Sequence, residues 1–485
     1  MRNTGHAHQP ERIHEALGPD FFDVVRPAPF PETIPRFRND RWADRLGLGG
    51  LTDPEWIAHF GRFEPLPGGQ PEPLALRYHG HQFRSYNPDL GDGRGFLFAQ
   101  LRDPLDGRLL DLGTKGSGTT PWSRTADGRL TLKGGVREIL ATEMLEALGV
   151  YTSKTFSLIE TGEDLIRGDE PSPTRSAVLT RLSHSHIRVG TFQRFAALGD
   201  FAAIRRLVDH AIAHYWPAAA AAPDPVAAFY EAVTAATARL GAEWFAAGFV
   251  HGVLNTDNLN ITGESFDYGP WRFLDRFDPD FTAAYFDHSG LYRFARQPEA
   301  LNWNIARLGE CLIPVSSQAA LEPVFQSFAD HFQTALRNRT FLRLGLLPGP
   351  GAEELTHRFW GAMQRTAPPF QQVFFDLLGA RPERIAESPI RPLYETADWV
   401  EVIGDLRDLA PFPGLGAALD EAPEAPETMV IEEVEALWAP IATADDWSPL
   451  TAKITRLRAF GAFQARLGLL RGTDSRPGHV PIEGP

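Results

Sequence analysis

The residues best suited to chemistry lie in the segment His251-Gly-Val-Leu-Asn255-Thr-Asp257-Asn258 and in Asp267, which begins the sequence Asp-Tyr-Gly. Mg²⁺ requires hard oxygen ligands in near-octahedral geometry and retains some of its waters. Asn258 and Asp267 can supply two such ligands, which leaves Asp257 to orient or deprotonate an attacking hydroxyl group. Asn and Asp also favour plain turns. The flanking His-Gly and Asp-Tyr-Gly sequences favour a magnesium-nucleotide site instead.

A glycine-rich segment, Gly91-Asp92-Gly93-Arg94-Gly95, precedes the first clear strand. Glycines there would let backbone amides approach phosphate oxygens, and Arg94 would add positive charge. The same sequence is also typical of an ordinary hairpin turn. Taken alone, the segment leaves both interpretations open.

Lys115 lies at the end of a predicted strand, and Glu138 lies at the start of a predicted helix. In kinase-like folds, a strand lysine held by a helix glutamate directs its ammonium group at a triphosphate. A solvated lysine beside a glycine turn is the alternative. Asp127 and Gly128, between these two residues, most simply form a turn.

Two arginines, Arg181 and Arg188, flank His184 and His186. A planar guanidinium binds two phosphate oxygens at once, so paired arginines suit a polyphosphate. Surface ion pairs are the alternative for each arginine. The sequence contains no P-loop, no Rossmann fingerprint in strand-helix context and no G-x-S-x-G elbow, which argues against the nucleotide sites and hydrolases that those motifs mark.

The elements that must position these residues change type along the chain. Alternating and apolar runs predict short strands at 95–101, 108–115, 129–133, 155–160 and 176–182. Helical spacing predicts one helix among them at about 136–148, and a long helix at about 225–247 that ends at Gly248. A β-rich lobe therefore precedes a helical lobe, and the polar motifs fall near their junction. This pattern predicts an α+β fold of two lobes with a cleft.

Four regions follow from this pattern. We expect an N-terminal wrapping segment at 1–75, rich in Pro and aromatic residues, and a β-rich nucleotide-binding lobe at 76–190. A helical lobe with the catalytic loop is expected at 191–415. The remainder, 416–485, is expected to form an acidic linker, a helical extension at about 430–470 and a disordered tail.

Composition excludes several function classes. The formal charge of −15 argues against a general nucleic-acid binder, because phosphate backbones require clustered Lys and Arg. The single cysteine, Cys311, excludes an intramolecular disulfide and argues against a Cys-based zinc site. The sequence shows neither an apolar leader nor 18 consecutive apolar residues. We therefore expect a cytoplasmic monomer without a membrane partner.

A series of segments spread in order over roughly residues 20 to 315 resembles the selenoprotein O family, also called SelO or YdiU. The segments are YHGHQF (78–83), NPDLGDGRG (87–95), KGSGTTPWSR (115–124), DGR (127–129), VREIL (136–140), SHSHIRVGTF (183–192), GFVHGVLNTDNLNITG (248–263), DYGPWRFLD (267–275) and QPEALNWNIARL (297–308). The resemblance implies a protein-kinase-like fold that acts as a protein adenylyltransferase. In that family, ATP is bound in an inverted pose, and AMP passes from it to Ser, Thr or Tyr hydroxyls of other proteins. The implied metal cofactor is Mg²⁺, with Mn²⁺ as an alternative.

The resemblance also implies a role for each matched residue. Asp257 would be the general base, and Asn258 and Asp267 would bind the magnesium ion. Arg181 and Arg188 would hold the distal phosphates. The remaining nucleotide contacts implied by the resemblance are Gly91, Gly93, Arg94, Asp127, Gly128 and Lys115, the last held by Glu138.

The sequence departs from the family pattern in three places. Arg84 stands where the family usually has Gly. The segment LKGGVRE (132–138) replaces the run with Leu-Arg-Ser that the family more usually has before the helix. The C-terminal third is expected to match the family poorly. Two alternatives to adenylylation stay open. One is a kinase or a manganese-dependent UMP transferase on the same fold, and the other is a catalytically silent nucleotide-binding module.

Overall fold

The computed structural model describes residues 7–168, 170–419 and 422–466. The strands are β1 Pro10–Glu11, β2 Phe22–Val24, β3 Ile34–Arg38, β4 Leu74–Leu76, β5 Gly80–Gln82, β6 Ser85–Asn87, β7 Leu97–Arg102, β8 Leu109–Lys115, β9 Leu130–Thr131, β10 Lys154–Leu165, β11 Thr174–Ser183, β12 Phe249–Val250 and β13 Arg272–Phe273. The α-helices are α1 Asp40–Arg45, α2 Asp53–Phe60, α3 Leu132–Ala147, α4 Val189–Leu198, α5 Phe201–His214, α6 Pro225–Ala247, α7 Gln297–Leu312, α8 Gln318–Gln326, α9 Phe328–Leu344, α10 Ala352–Thr366, α11 Phe370–Asp376, α12 Pro382–Ala386, α13 Arg391–Tyr394, α14 Ala397–Arg407, α15 Leu415–Leu419, α16 Ile431–Ala444 and α17 Ser448–Arg466.

One large antiparallel sheet organises the first part of the chain. Its strands follow the order β2, β4, β7, β8, β11, β10, β3, with β1 beside β7 and β9 beside β11. The strands predicted near 95–101, 108–115, 129–133, 155–160 and 176–182 are confirmed as β7 to β11. The N-terminal segment adds β1, β2 and β3 to this sheet instead of only wrapping around it. The mixture of a β-rich first part and a helical remainder is confirmed.

Helices cover both faces of this sheet. On one face, α3 packs in a core that contains Leu158 and Leu179 of the strands. On the other face, Trp42 of α1 joins Trp56 and Phe60 of α2 in a second core. Every residue of β8 is therefore buried, as is typical of a strand covered on both sides. This burial fixes the position of the lysine at the end of β8.

Helix α3 begins earlier than its apolar spacing predicts. The Thr131 side chain accepts a hydrogen bond from the Gly134 amide and caps the helix, which therefore starts at 132 and not near 136. Glycine is a poor helix former, but a Cβ on Gly135 would lie 2.4 Å from a methyl group of Leu158. Close packing of α3 against β10 thus offsets the low helix propensity and places Glu138 at the sheet.

The long helix α6 has the predicted bounds. Asp224 caps it by accepting from the amides of Val226 and Ala227, and Gly248 ends it with a φ of +68°. Directly after it, β12 pairs with β13. The polar segment between these two strands contains a 3₁₀ turn at Thr256–Asn258. The pairing of β12 with β13 thus holds the two ends of this segment together.

The C-terminal helices return to the sheet-covering helix. Arg458 of α17 binds both carboxylate oxygens of Glu143 on α3, at 2.7 and 2.9 Å. A Cβ on Gly461 would lie 3.3 Å from the Cα of Ala147. The predicted helical extension is confirmed by α16 and α17, whereas the expected tail from Gly472 lies outside the described residues. Over the described part of the chain, no helix combines the length and apolarity needed to cross a bilayer.

Candidate active site

Asp257 is a buried carboxylate in the 3₁₀ turn between β12 and β13. Its Oδ1 atom has no hydrogen-bond partner within the described residues. Burial raises the pKa of Asp257 to about 6, although the positive charge of Arg188 opposes the rise and the negative charge of Asp267 adds to it. A carboxylate of this kind can accept a proton near neutral pH.

Asp267 has the opposite electrostatic environment. Its Oδ1 atom lies 3.1 Å from the Lys115 ammonium and 3.6 Å from the Arg181 guanidinium. Burial alone would raise the pKa of Asp267, but the positive charges of Lys115, Arg181, Arg188 and Arg94 hold it well below the usual range. Its φ of +62° is left-handed, a conformation that Asp tolerates better than most residues. Asp267 therefore stays anionic at every physiological pH.

Lys115 and Glu138 form the ion pair that the sequence suggests. Lys115 ends β8, Glu138 lies in the second turn of α3, and their side chains are only 6% and 1% exposed. Glu138 Oε2 has no hydrogen-bond partner in the described residues. The pair holds the lysine ammonium between Glu138 and Asp267, so the lysine that ends β8 contacts the polar segment between β12 and β13.

Arg181 and Arg188 are buried cations with unused donors. The Nε atoms of both side chains have no hydrogen-bond partner among the described residues. The Arg188 guanidinium lies 4.1 Å from the centroid of the Tyr78 ring and 3.2 Å from Asp92, and both guanidinium groups lie 5.4 Å from the Phe266 ring. Buried donors are normally satisfied, so this pair fits a polyphosphate.

The glycine-rich segment packs against the loop that follows Lys115. A Cβ on Gly91 would lie 2.4 Å from the Trp122 ring, and a Cβ on Gly93 would lie 2.8 Å from the Trp122 carbonyl oxygen. The Arg94 carbonyl accepts from the Gly116 amide at 2.7 Å, and the Arg94 side chain is exposed. These glycines are thus required for packing, and their contact with a nucleotide stays a prediction.

Asp127 and Gly128 are neighbours in the chain but have different contacts. The Asp127 carboxylate binds Arg167 at 2.8 Å, and it is 48% exposed, so it lies outside the group formed around Asp267. Gly128 has a φ of +70°, and a Cβ there would lie 2.2 Å from the Gly118 carbonyl oxygen. Gly128 therefore supports the turn after Lys115, and a nucleotide contact for either residue stays a prediction.

The side-chain oxygens of Asn258 and Asp267 suit magnesium more than a transition metal. The amide nitrogen of Asn258 donates to the Val253 carbonyl at 3.1 Å, which leaves the amide oxygen free to accept. Amide and carboxylate oxygens are the hard ligands that Mg²⁺ prefers. In the described ranges, no cluster of three or more His, Cys, Asp and Glu side chains could hold a metal. Asn258 and Asp267 thus offer the ligand types that Mg²⁺ prefers, and a magnesium site formed by them stays a prediction.

Sequence reasoning missed three residues that belong to this group. Tyr78 stacks on Arg188, Asp92 pairs with it, and the positive charge of Arg124 lowers the pKa of Asp257. Each of the three lies inside a segment that was already singled out, namely YHGHQF, NPDLGDGRG and KGSGTTPWSR. Their positions in those segments were the available signal.

Comparison with known proteins identifies the family of this chain. Residues 6–458 match the family model described as protein adenylyltransferase SelO. Proteins named protein nucleotidyltransferase YdiU include one from Synechococcus elongatus, 47% identical over 473 residues, which cover 93% of this chain and 95% of the relative. The protein of the same name from Gloeobacter violaceus is 45% identical over 464 residues, or 92% of this chain and 94% of the relative. That from Rhodopseudomonas palustris is 40% identical over 398 residues, or 79% of each.

The matched range extends far beyond residue 315 and includes α16 and about half of α17. The expectation that the C-terminal third matches the family poorly is therefore wrong. Its physical reason is that this part of the chain contributes packing, such as that of α17 on α3, and packing faces leave no short polar motif to recognise. The chain belongs to the family described as protein adenylyltransferase SelO.

Proposed function

We propose that this chain transfers AMP from ATP to Ser, Thr or Tyr hydroxyls of other proteins and releases diphosphate. The proposed architecture is that of a two-lobed protein kinase, with a nucleotide-binding lobe of residues 76–190, whose sheet the strands of 1–75 join, and a helical lobe of residues 191–415, while 416–485 form a C-terminal extension. One observation carries the proposal. A permanently ionised Asp267 lies among buried cations, beside a second carboxylate, Asp257, whose pKa is raised to about 6.

The cations account for triphosphate binding. Lys115, held by Glu138, and the unused donors of Arg181 and Arg188 provide positive charge in a buried setting, where charge interactions are stronger than in water. Arg94 and the amides near Gly91 and Gly93 would add contacts from the glycine-rich segment. Such donors act best on the charge that develops on a leaving diphosphate.

The proposed residues can account for both bond changes and for the proton in AMP transfer. The acceptor hydroxyl oxygen attacks the α-phosphorus of ATP, and the bond from that phosphorus to the α,β-bridging oxygen breaks. Asp257 takes the hydroxyl proton, and Arg181 and Arg188 stabilise the departing diphosphate. Mg²⁺ held by Asn258 and Asp267 would neutralise phosphate charge, and Mn²⁺ is a chemically similar substitute.

Intact-mass spectrometry after incubation with Mg-ATP tests the proposal. The chain itself and a mixture of Ser-, Thr- and Tyr-containing peptides serve as acceptors. We expect adducts with the mass of AMP, and we expect their loss in Asp257→Asn and Asp267→Ala. Asp209→Ala is the matched control, because that carboxylate is 63% exposed on α5.

The nature of the adduct decides between the related reactions. Phosphoryl adducts without AMP would show a kinase, and UMP adducts formed preferentially in a mixture of ATP and UTP would show a uridylyltransferase. Tight binding of ATP without any adduct would show a silent nucleotide-binding module. Each of these three results contradicts AMP transfer as the main activity.

A further inference from the structure

A short hairpin, β5 and β6, lies against the segment that carries Asp257. Its strands pair His81 with Tyr86 and Gln82 with Ser85, so its tip consists of Phe83 and Arg84. Both tip residues are left-handed, with φ values of +49° and +64°. This is the geometry of the tight hairpin turn that favours Asn and Gly. A conformation unfavourable for Phe and Arg therefore requires contacts elsewhere to hold it.

A closed ring of hydrogen bonds supplies part of that support. The His81 backbone amide donates to Thr256 Oγ1 at 2.7 Å, and this hydroxyl donates to Gln193 Oε1 at 2.5 Å. The Gln193 amide nitrogen donates to His81 Nδ1 at 2.7 Å, which closes the ring. Thr256 directly precedes Asp257, so the ring joins the hairpin, α4 and the catalytic turn.

The hairpin tip makes a second attachment, to Asn255. Asn255 Oδ1 accepts from the Phe83 amide at 3.0 Å and from the Tyr292 hydroxyl at 2.8 Å. The Phe83 ring also packs with the Tyr292 ring at 5.0 Å between centroids. The hairpin thus binds both residues that precede Asp257, from 172 and 175 positions away in the chain.

The Asp257 side chain itself is restricted by packing. A Cβ on Gly80 would lie 3.1 Å from Asp257 Oδ1 and 3.0 Å from Thr256 Oγ1. Asp257 Oδ1 has no hydrogen-bond partner among residues that the structure describes. No direct bond to Oδ1 therefore sets the direction of this oxygen, and the bare glycine of β5 lies against it.

We propose that the β5–β6 hairpin, through Gly80 and the ring of His81, Thr256 and Gln193, positions the Asp257 carboxylate for proton transfer from the acceptor hydroxyl. These are positioning residues, since they act through Asp257. The inference rests on the proposed function and deepens it. It assigns two functions to different residues of one site. Lys115 and the arginines bind the nucleotide, and the hairpin orients the Asp257 carboxylate.

Gly80→Ala is the sharpest test. Its backbone is not left-handed, so alanine is allowed, but the new methyl group must displace Asp257 or Thr256 by a few tenths of an ångström. We expect kcat for AMP transfer to a peptide acceptor to fall by about tenfold or more, since small misplacements of a catalytic group are costly. The dissociation constant of a non-hydrolysable ATP analogue should stay within about twofold of the wild-type value. Gly404→Ala is the control, because a Cβ there meets nothing within 4 Å.

A pair of variants at Thr256 separates positioning from folding. Thr256→Ser keeps the hydroxyl and should retain kcat within about threefold, whereas Thr256→Val keeps the shape and should lose about tenfold or more. Equal kcat in folded Gly80→Ala and wild type, or equal loss in both Thr256 variants, would overturn the inference. A wild-type chain that forms no AMP adduct would instead refute the proposed function. The positioning inference is then decided by kcat of whichever transfer the wild type performs.

Discussion

At the scale of single residues, the pKa values of two carboxylates on one short segment are shifted in opposite directions. Burial raises the pKa of Asp257 to about 6, whereas four cations hold the pKa of Asp267 well below its usual range. Paired carboxylates with separated pKa values are how one site obtains both a proton acceptor and a permanent anion.

The first prediction concerns the pH dependence of transfer. AMP transfer should increase as the pH rises through about 6, because Asp257 accepts a proton only when ionised. Values of kcat/KM measured from about pH 5 to about pH 8 would report this ionisation in the free enzyme. A rate that is constant across that range contradicts the role of Asp257 as the base.

The second prediction concerns stability. The folded-state pKa of Asp257 lies above its ordinary value of 3.8, so the stability that protonation contributes is complete below that value and is lost as the pH rises through about 6. The loss is about 3 kcal/mol for a shift of about two pKa units. Asp257→Asn, which carries no charge, should therefore unfold at higher urea concentration than wild type at about pH 8, but not at about pH 4. A difference independent of pH would contradict this origin.

At the scale of elements, α3 is held from two sides. Its Glu138 end contacts Lys115 of β8, and its other end is bound by α17 through Arg458 and Glu143. The helix that orients the lysine is therefore positioned by the C-terminal helix as well as by the sheet. We expect a displacement of α17 to shift α3 and with it the Lys115–Glu138 pair of the candidate site.

Gly461→Leu tests this coupling. The Gly461 backbone lies so close to Ala147 that a larger side chain must push α17 away from α3. We expect a loss of about 1–3 kcal/mol in unfolding free energy, as for other overpacked cores, and weaker binding of an ATP analogue. Gly404→Leu, at an exposed position of α14, is the control. Unchanged nucleotide affinity in a destabilised Gly461→Leu would show that α3 is held by the sheet alone.

The sequence predicts the elements whose pattern is local and misses those that depend on distant partners. The strands β7, β8 and β11 and helix α6 have runs long enough for their periodicity to show. The strand β2 has three residues and pairs with β4, about fifty positions away, so no local pattern indicates it. The β5–β6 hairpin was missed because Phe83 and Arg84 are not typical turn residues.

The same difference explains the site. The Lys115–Glu138 pair was predictable because a lysine at the end of a predicted strand and a glutamate at the start of a predicted helix match the arrangement in kinase-like folds. The ion pair between Asp127 and Arg167 was not predictable, because it depends on how the β10–β11 connection folds back. Arg84, which stands where the family usually has Gly, has a φ of +64°. The backbone there thus has the conformation that a glycine adopts at little cost.

At the scale of the whole molecule, an acidic protein contains a buried group of cations. The chain carries a formal charge of −15, yet Lys115, Arg181 and Arg188 are gathered around Asp267. A triphosphate that binds here, as we propose, would meet local positive charge on a protein whose net charge is negative. Binding at this place should stabilise the fold, because the ligand holds residues from the sheet and from the helical part together.

Thermal unfolding with and without metal tests this expectation. Mg-ATP at about one hundred times its dissociation constant should add about 2.7 kcal/mol to the unfolding free energy. Removal of the metal with EDTA should reduce this gain, because Asn258 and Asp267 then lose their share of the contacts. Asp257→Asn should retain the full metal-dependent gain, since Asp257 is not one of the proposed metal ligands. An equal gain with and without EDTA contradicts the magnesium site.

The contact between α17 and α3 has a consequence for biosynthesis. Arg458 and Glu143 are 315 residues apart in the chain. The ribosome synthesises the sheet, α3 and the 3₁₀ turn that contains Asp257 before it synthesises α17. Nascent chains that still lack α17 therefore carry every residue of the candidate site before α3 receives this contact.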